Sequence, residues 1–183
     1  MRHPWTLRTP DMASWMCWQN LVTWVAEEGG GLILIAGEQA MPSLWDEKDL
    51  QPLLPVEIDT PLPESPAVYA YRLTDFGILS SITSFSANPA PSTEVWEDRD
   101  RRSDGIPGIH WLLATRCKAD AQALVECGPE DRRMPLFVTR KTGRGRVFCS
   151  ATDETWRWRF RSGDEPWFYP FWKRVIDWAR RGE

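Results

Sequence analysis

The sequence predicts a three-layer α/β/α domain built on a mixed sheet that carries a late antiparallel hairpin. Three observations predict it. A helical apolar stripe, a triglycine turn and a continuous apolar run follow one another between Trp15 and Ala36. Two apolar strands then flank Lys141-Thr142-Gly143-Arg144-Gly145, and an amphipathic helix closes the chain from about Pro166 to Arg181. Helix, turn and buried strand make half of a parallel α/β unit, to which the hairpin adds antiparallel neighbours. At 183 residues the chain suits one domain with a sizeable core.

The elements follow in order. Pro10-Asp11-Met12 opens a helix, with Thr9 or Asp11 as its cap. Trp15, Trp18, Leu21, Val22 and Val25 recur at three- and four-residue steps along one face. Glu27-Glu28-Gly29-Gly30-Gly31 ends that helix, and Leu32 to Ala36 reads as a strand buried on both faces. The proline-rich stretch Gly37 to Pro66 reads as irregular, with short helices near Asp46–Leu50 and Gln51–Leu54. Ala67 to Leu73 is a short strand, and Thr74 to Phe85 a short capped helix.

Pro89 to Pro107 reads as a loop, and its charge run Glu97 to Asp104 as a solvated, mobile segment. A metal site from Asp98, Asp100 and Asp104 has no further support. His110 to Cys117 and Ala123 to Glu126 read as strands, followed by the hairpin strands Leu136 to Arg140 and Arg146 to Ala151. The glycines at the joint supply positive φ. A phosphate-cradling loop there lacks both the motif length and a following helix. In the closing helix, Phe168, Phe171, Trp172, Val175, Ile176 and Trp178 belong to the apolar face.

Composition narrows the function classes. A net charge of −4 argues against general nucleic-acid binding, which needs a basic surface. The longest purely apolar run, Leu32 to Ala36, is far too short to span a membrane, and no apolar core follows Met1-Arg2-His3-Pro4-Trp5. As it stands, the chain reads as cytoplasmic. Cys17, Cys117, Cys127 and Cys149 form no C-x-x-C pair, and only His3 and His110 are at hand to complete a metal site. They read as buried, reduced thiols. Twelve tryptophans imply large aromatic clusters, several of them serving an interface or groove.

Three blocks carry a family resemblance. They are Leu21 to Gly37, then Leu53-Leu54-Pro55-Val56-Glu57, then Pro135 through Trp178. Together they resemble the glutamine amidotransferase-like (class I, flavodoxin-like) domains found in large bacterial membrane and von Willebrand-type proteins. The last block, with Gly145-Arg146-Val147-Phe148 and Phe171 to Ala179, is also similar to the trehalose-utilisation (ThuA-like) relatives. The resemblance implies a flavodoxin-like sandwich whose ligand crevice lies at the carboxyl ends of the strands.

The departures from that family are specific. Active class I amidotransferases carry a cysteine on a tight turn just after a strand. Here that slot holds Ala36 or Gly37, followed by Glu38-Gln39. The place of the family's histidine and glutamate is held by Thr152-Asp153-Glu154-Thr155, which has acids and no imidazole. The opening β-α-β part is missing, or reduced to Arg2 to Arg8, so the sheet is expected to expose an edge open to pairing.

Candidate ligand-binding residues are Gly37, Glu38, Asp153, Glu154, Trp156 and Arg157. Asp153 and Glu154 are also the weak catalytic candidates. Two readings of that corner stand side by side. Either the acids meet a metal, an amine or a sugar hydroxyl, or Asp153 or Thr155 caps a turn and the acids pair with Arg157 or Arg159. Trp156, Trp158 and Phe160 alternate with Arg157, Arg159 and Arg161. Read as extended chain, that tract puts aromatics on one side and guanidiniums on the other. It is a single-strand nucleic-acid platform, a clamp for an anionic ligand, or core aromatics with pairing arginines. Cys149 reads as packed, and His110 near it or near Asp153 would favour chemistry.

Two functions follow. The first is a non-catalytic amidotransferase-like module for protein interaction or small-ligand binding, with no cofactor. The alternative is a hydrolase or isomerase acting on a sugar or amide through Asp153 and Glu154. Partners are expected to be a second copy or another protein, or a small polar ligand, with no nucleic acid. If the chain belongs to a longer protein, a membrane association is expected.

Overall fold

The computed structural model describes residues 12–37, 50–59, 68–85, 89–97, 105–129, 131–161 and 167–180. The three- and four-residue apolar spacing before the glycines forms helix α1, Met12–Ala26. Its cap candidates Thr9 and Asp11 lie outside the described residues. The apolar run forms strand β1, Gly31–Ile35. Strand β2 is Val56–Ile58 and β3 is Tyr71–Leu73, followed by helix α2, Asp75–Leu79, and helix α3, Pro89–Trp96. Strands β4 (Thr115–Cys117), β5 (Ala121–Cys127), β6 (Met134–Thr142) and β7 (Gly145–Ser150) come next. A 3-10 turn, Glu154–Arg157, leads into helix α4, Trp158–Arg161, and helix α5 spans Phe168–Ala179.

The architecture is mixed α/β. Five strands form one sheet in the order β1-β7-β6-β5-β3, and β2 pairs β4 in a second, two-stranded sheet. β1 runs parallel to β7, with Ile33 opposite Phe148, while the other neighbours are antiparallel. The expected hairpin is β6–β7, its register fixed from Phe137–Ser150 to Thr142–Gly145.

Alternation along β7 sorts the core. Val147 packs with Val25 of α1 and with Leu50 and Leu53, and Cys149 joins Leu54 and Val56. Phe148 sits in the other cluster, with Phe171 and Val175 of α5. That second cluster is dominated by rings. Trp96 and Trp158 meet edge to face at 5.7 Å, and Phe137 lies 4.8 Å from Phe171. Buried ring polar groups are satisfied: Tyr71 Oη donates to Pro107 O at 2.7 Å and accepts Trp158 Nε1–H at 3.1 Å.

The hairpin tip closes the end of α1. Gly143 has φ +58°, and a Cβ there would stand 2.2 Å from Ala26 O. At Gly145 it would stand 2.1 Å from Val25 O, so both glycines are required by close approach, but of the two only Gly143 supplies the positive φ expected of the joint. Arg144 N–H donates to Ala26 O at 2.8 Å and its guanidinium to Glu27 O at 3.1 Å, which satisfies carbonyls left open at the helix end.

Several expectations are corrected. β1 is an edge strand, half-buried with Ile35 exposed, because β7 is its one neighbour among the described strands. The loop expected from Pro89 contains α3, since burying Trp96 in the ring cluster outweighs a proline-rich composition. Glu97 is only partly exposed and is tied to the sheet: its Oε1 accepts Leu73 N–H at 3.0 Å. The rest of that charge run, with Asp98, Asp100 and Asp104, lies outside the described residues, as does Asp46. Residues 50–53 form a turn, not a helix. Of the strand expected over His110 to Cys117, only Thr115–Cys117 is regular, because the loop before it is held by side chains. Cys17 is exposed, unlike buried Cys127 and Cys149.

Candidate functional site

The parallel pairing of β1 with β7 brings two distant segments to one rim. Ala36 N–H donates to Ser150 O at 2.8 Å, so the chain leaving β1 runs beside the chain leaving β7. A Cβ placed on Gly37 would lie 4.0 Å from Asp153 Oδ2. Gly37 and Asp153, 116 positions apart in the numbering of the chain, are therefore neighbours at the carboxyl end of the parallel pair. Asp153 is exposed and Ala36 fully buried. Glu38 lies outside the described residues.

Glu154 has a different position from its neighbour. It is buried, and one carboxylate oxygen accepts the backbone N–H groups of both His110 and Trp111, the latter at 2.9 Å. The other oxygen accepts Arg157 Nε–H at 2.8 Å and forms the ion pair with Arg157 Nη2. Thr152 Oγ1 accepts Glu154 N–H and donates to Trp111 O at 2.8 Å, while Ser150 Oγ donates to Thr152 O at 2.6 Å. The Thr-Asp-Glu-Thr corner is thus a lock between the end of β7 and the loop at 109–111. The loop partners carry no motif, and the contact crosses more than forty residues, so the sequence held no signal for it.

The Trp/Arg tract is helical, not extended, which changes its faces. Trp158 is fully buried in the ring cluster. Trp156 and Phe160, four residues apart, are exposed and touch edge to face at 5.9 Å. Arg157 lies 4.7 Å over the Trp156 ring and Arg159 5.6 Å from Phe168. A helical turn spaces side chains by about 100°, so the even/odd separation of an extended strand does not arise.

The thiols are set by burial. Burial raises the Cys149 thiol far above its ordinary value, and pushes Cys127 up to about 12. Among the described residues, no hydrogen bond joins the His110 imidazole to Cys149 or Asp153. No group of three or more His, Cys, Asp or Glu among them is arranged to hold a metal ion. No helix of the described residues is long and apolar enough to cross a membrane.

What the fold defines is a mixed α/β structure with the exposed Asp153 beside Gly37 at the end of its parallel strand pair. No family model matches the chain, and no curated protein does. Solved structures are similar to it, two of them from Salmonella typhimurium. The cytoplasmic protein STM1381 of Salmonella typhimurium LT2 is 20% identical with a TM-score of 0.63, over 90% of this chain and 61% of that one. The cytoplasmic protein STM3548 of Salmonella typhimurium is 16% identical with a TM-score of 0.59, over 88% of this chain and 59% of that one. The chain spans about three-fifths of the length of each. At these identities the likeness is one of fold.

Proposed function

We propose that this chain is a non-catalytic glutamine amidotransferase-like module, a pseudoenzyme on a flavodoxin-like scaffold, used for protein interaction or small-ligand binding. The observation that carries the reading is the end of β1. Where the resemblance implies a nucleophilic cysteine, buried Ala36 is followed by Gly37 beside Asp153. The thiol of Cys149, one strand away, is wholly buried. The scaffold reading draws support from the parallel β1–β7 pair and from α1 and α5 packing with alternate residues of β7. It reads as working in the cytoplasm, as the names of both structural neighbours state for them.

In this reading Gly37, Asp153, Trp156 and Arg157 form the rim that meets a small polar ligand, and Glu154 positions Arg157 from below. The alternative, a hydrolase or isomerase using both acids, has Asp153 alone exposed, since Glu154 is engaged with three partners. Incubation of the purified protein with glutamine is the test. Ammonia stays at the level of a protein-free control; release at an enzymatic rate, abolished by one point change, overturns the proposal.

A further inference from the structure

Asp153 has neither of the structural uses an acid at its position ordinarily finds. It stands at the N-cap of the 3-10 turn Glu154–Arg157, yet its side chain makes no cap hydrogen bond. No ion pair reaches it among the described residues. The cation nearest in sequence, Arg157, is taken by its neighbour Glu154 through Nε and Nη2, both at 2.8 Å. Two adjacent acids thus share one arginine, the buried acid holds it, and the exposed Asp153 keeps an uncompensated charge. Gly37 beside it contributes no side chain, and even a Cβ there would stay 4.0 Å from Oδ2.

Two exposed rings follow that carboxylate. Residues three apart on a 3-10 turn eclipse one another, which sets Trp156 after Asp153 on one side of the chain. Phe160 continues the line one helical turn on, its ring 5.9 Å from that of Trp156. Trp156 is 47% exposed and Phe160 75%. Both rings already receive a guanidinium, Arg157 at 4.7 Å and Arg159 at 6.0 Å, so their π faces are of the kind that attracts positive charge.

This combination selects among ligand classes. An anion is repelled by Asp153. A neutral hydroxyl donates to the carboxylate and leaves its charge unmatched. A metal ion of the zinc kind needs three or four protein ligands, and no group of three His, Cys, Asp or Glu is arranged for one among the described residues. A cation on an apolar stem meets both the charge and the rings.

We propose that Asp153, Trp156 and Phe160 bind a small organic cation, an ammonium or guanidinium group on an apolar stem. The charged head lies on the Asp153 carboxylate and the stem runs along the two rings. This rests on the small-ligand reading above and names the chemical class of that ligand.

The test follows the Trp156 indole N–H of the full chain by two-dimensional NMR, its signal assigned with Trp156→Phe. The probes are n-butylammonium and n-butylguanidinium, with n-butanol and butyrate as neutral and anionic controls at matched ionic strength. Both cations shift the signal saturably, and the two controls bind ~10-fold more weakly or not at all. Asp153→Asn weakens cation binding by ~10-fold or more with an unchanged unfolding midpoint, and Phe160→Ala weakens it by roughly 3-fold. Absence of a saturable shift with either cation overturns the proposal. So does butanol binding as tightly as butylammonium, butyrate binding more tightly, or an Asp153→Asn variant that binds as the parent does. None of these results releases ammonia from glutamine, so each overturns the ligand class while the non-catalytic reading stands or falls by its own assay.

Discussion

Glu154 reaches across the domain to the backbone of Trp111: its Oε2 accepts that N–H at 2.9 Å and the N–H of His110 beside it. A carboxylate reading two consecutive amides fixes the loop's path more tightly than one hydrogen bond would, and charge-assisted bonds are the stronger kind.

Removing that carboxylate leaves two amides and a guanidinium without their acceptor. Glu154→Ala is expected to cost about 2–3 kcal/mol, and Glu154→Gln, which keeps one acceptor oxygen, about half as much. Urea unfolding of the three proteins checks the order.

The hairpin tip has no room for side chains. Gly145→Ala puts a Cβ against Val25 O and Gly30 O, both backbone atoms that cannot swing aside. It is expected to lower stability by roughly 2 kcal/mol or more, whereas Gly37→Ala, which meets nothing closer than 4.0 Å, changes it by less than about 0.5 kcal/mol. Melting temperatures separate the two.

The split of the aromatic tract is equally measurable. Trp158→Ala is expected to cost about 3–5 kcal/mol because it empties the centre of the ring cluster. Trp156→Ala, at the exposed rim, changes stability by less than about 1 kcal/mol. A loss of ligand binding in the second variant without a change in its unfolding midpoint identifies the rim as a binding surface.

Buried thiols make stability fall in alkali. The ordinary thiol value is 9.0, and burial lifts Cys127 to about 12 and Cys149 further. Above pH 9 the unfolded chain therefore sheds protons that the native state keeps, and stability drops as pH rises from about 9 to about 12, by ~1.4 kcal/mol per pH unit for each such thiol. Urea midpoints measured from pH 8 upward check the slope, which Cys127→Ala reduces. Reagents for thiols are expected to modify Cys17 first and to reach Cys127 and Cys149 only on unfolding.

Local signals wrote most of the elements. The spacing of Trp18, Leu21, Val22 and Val25 gives α1, the glycines at 143 and 145 give the hairpin, and Thr74 caps α2 by accepting Gly77 N–H at 3.0 Å. Tertiary packing wrote the rest. Trp96 makes a helix of a proline-rich stretch because the ring cluster rewards its burial, and no nearby residue announces that cluster. The candidate rim was half legible. The polar corner after β7 is visible in the sequence, but the separate fates of Asp153 and Glu154 depend on a loop more than forty residues upstream.

β1 and β7 stand side by side in the sheet but at opposite ends of the chain. During synthesis on a ribosome, β1 emerges long before its partner, and its uncharged Leu-Ile-Leu-Ile sequence has to wait unpaired until nearly all of the domain has been made. Loop closure over that span delays folding, and a nascent chain stalled before Gly145 carries an aggregation-prone strand with nothing to dock on. A chaperone that meets this chain during synthesis is expected to engage β1, because its partner β7 is made more than a hundred residues later.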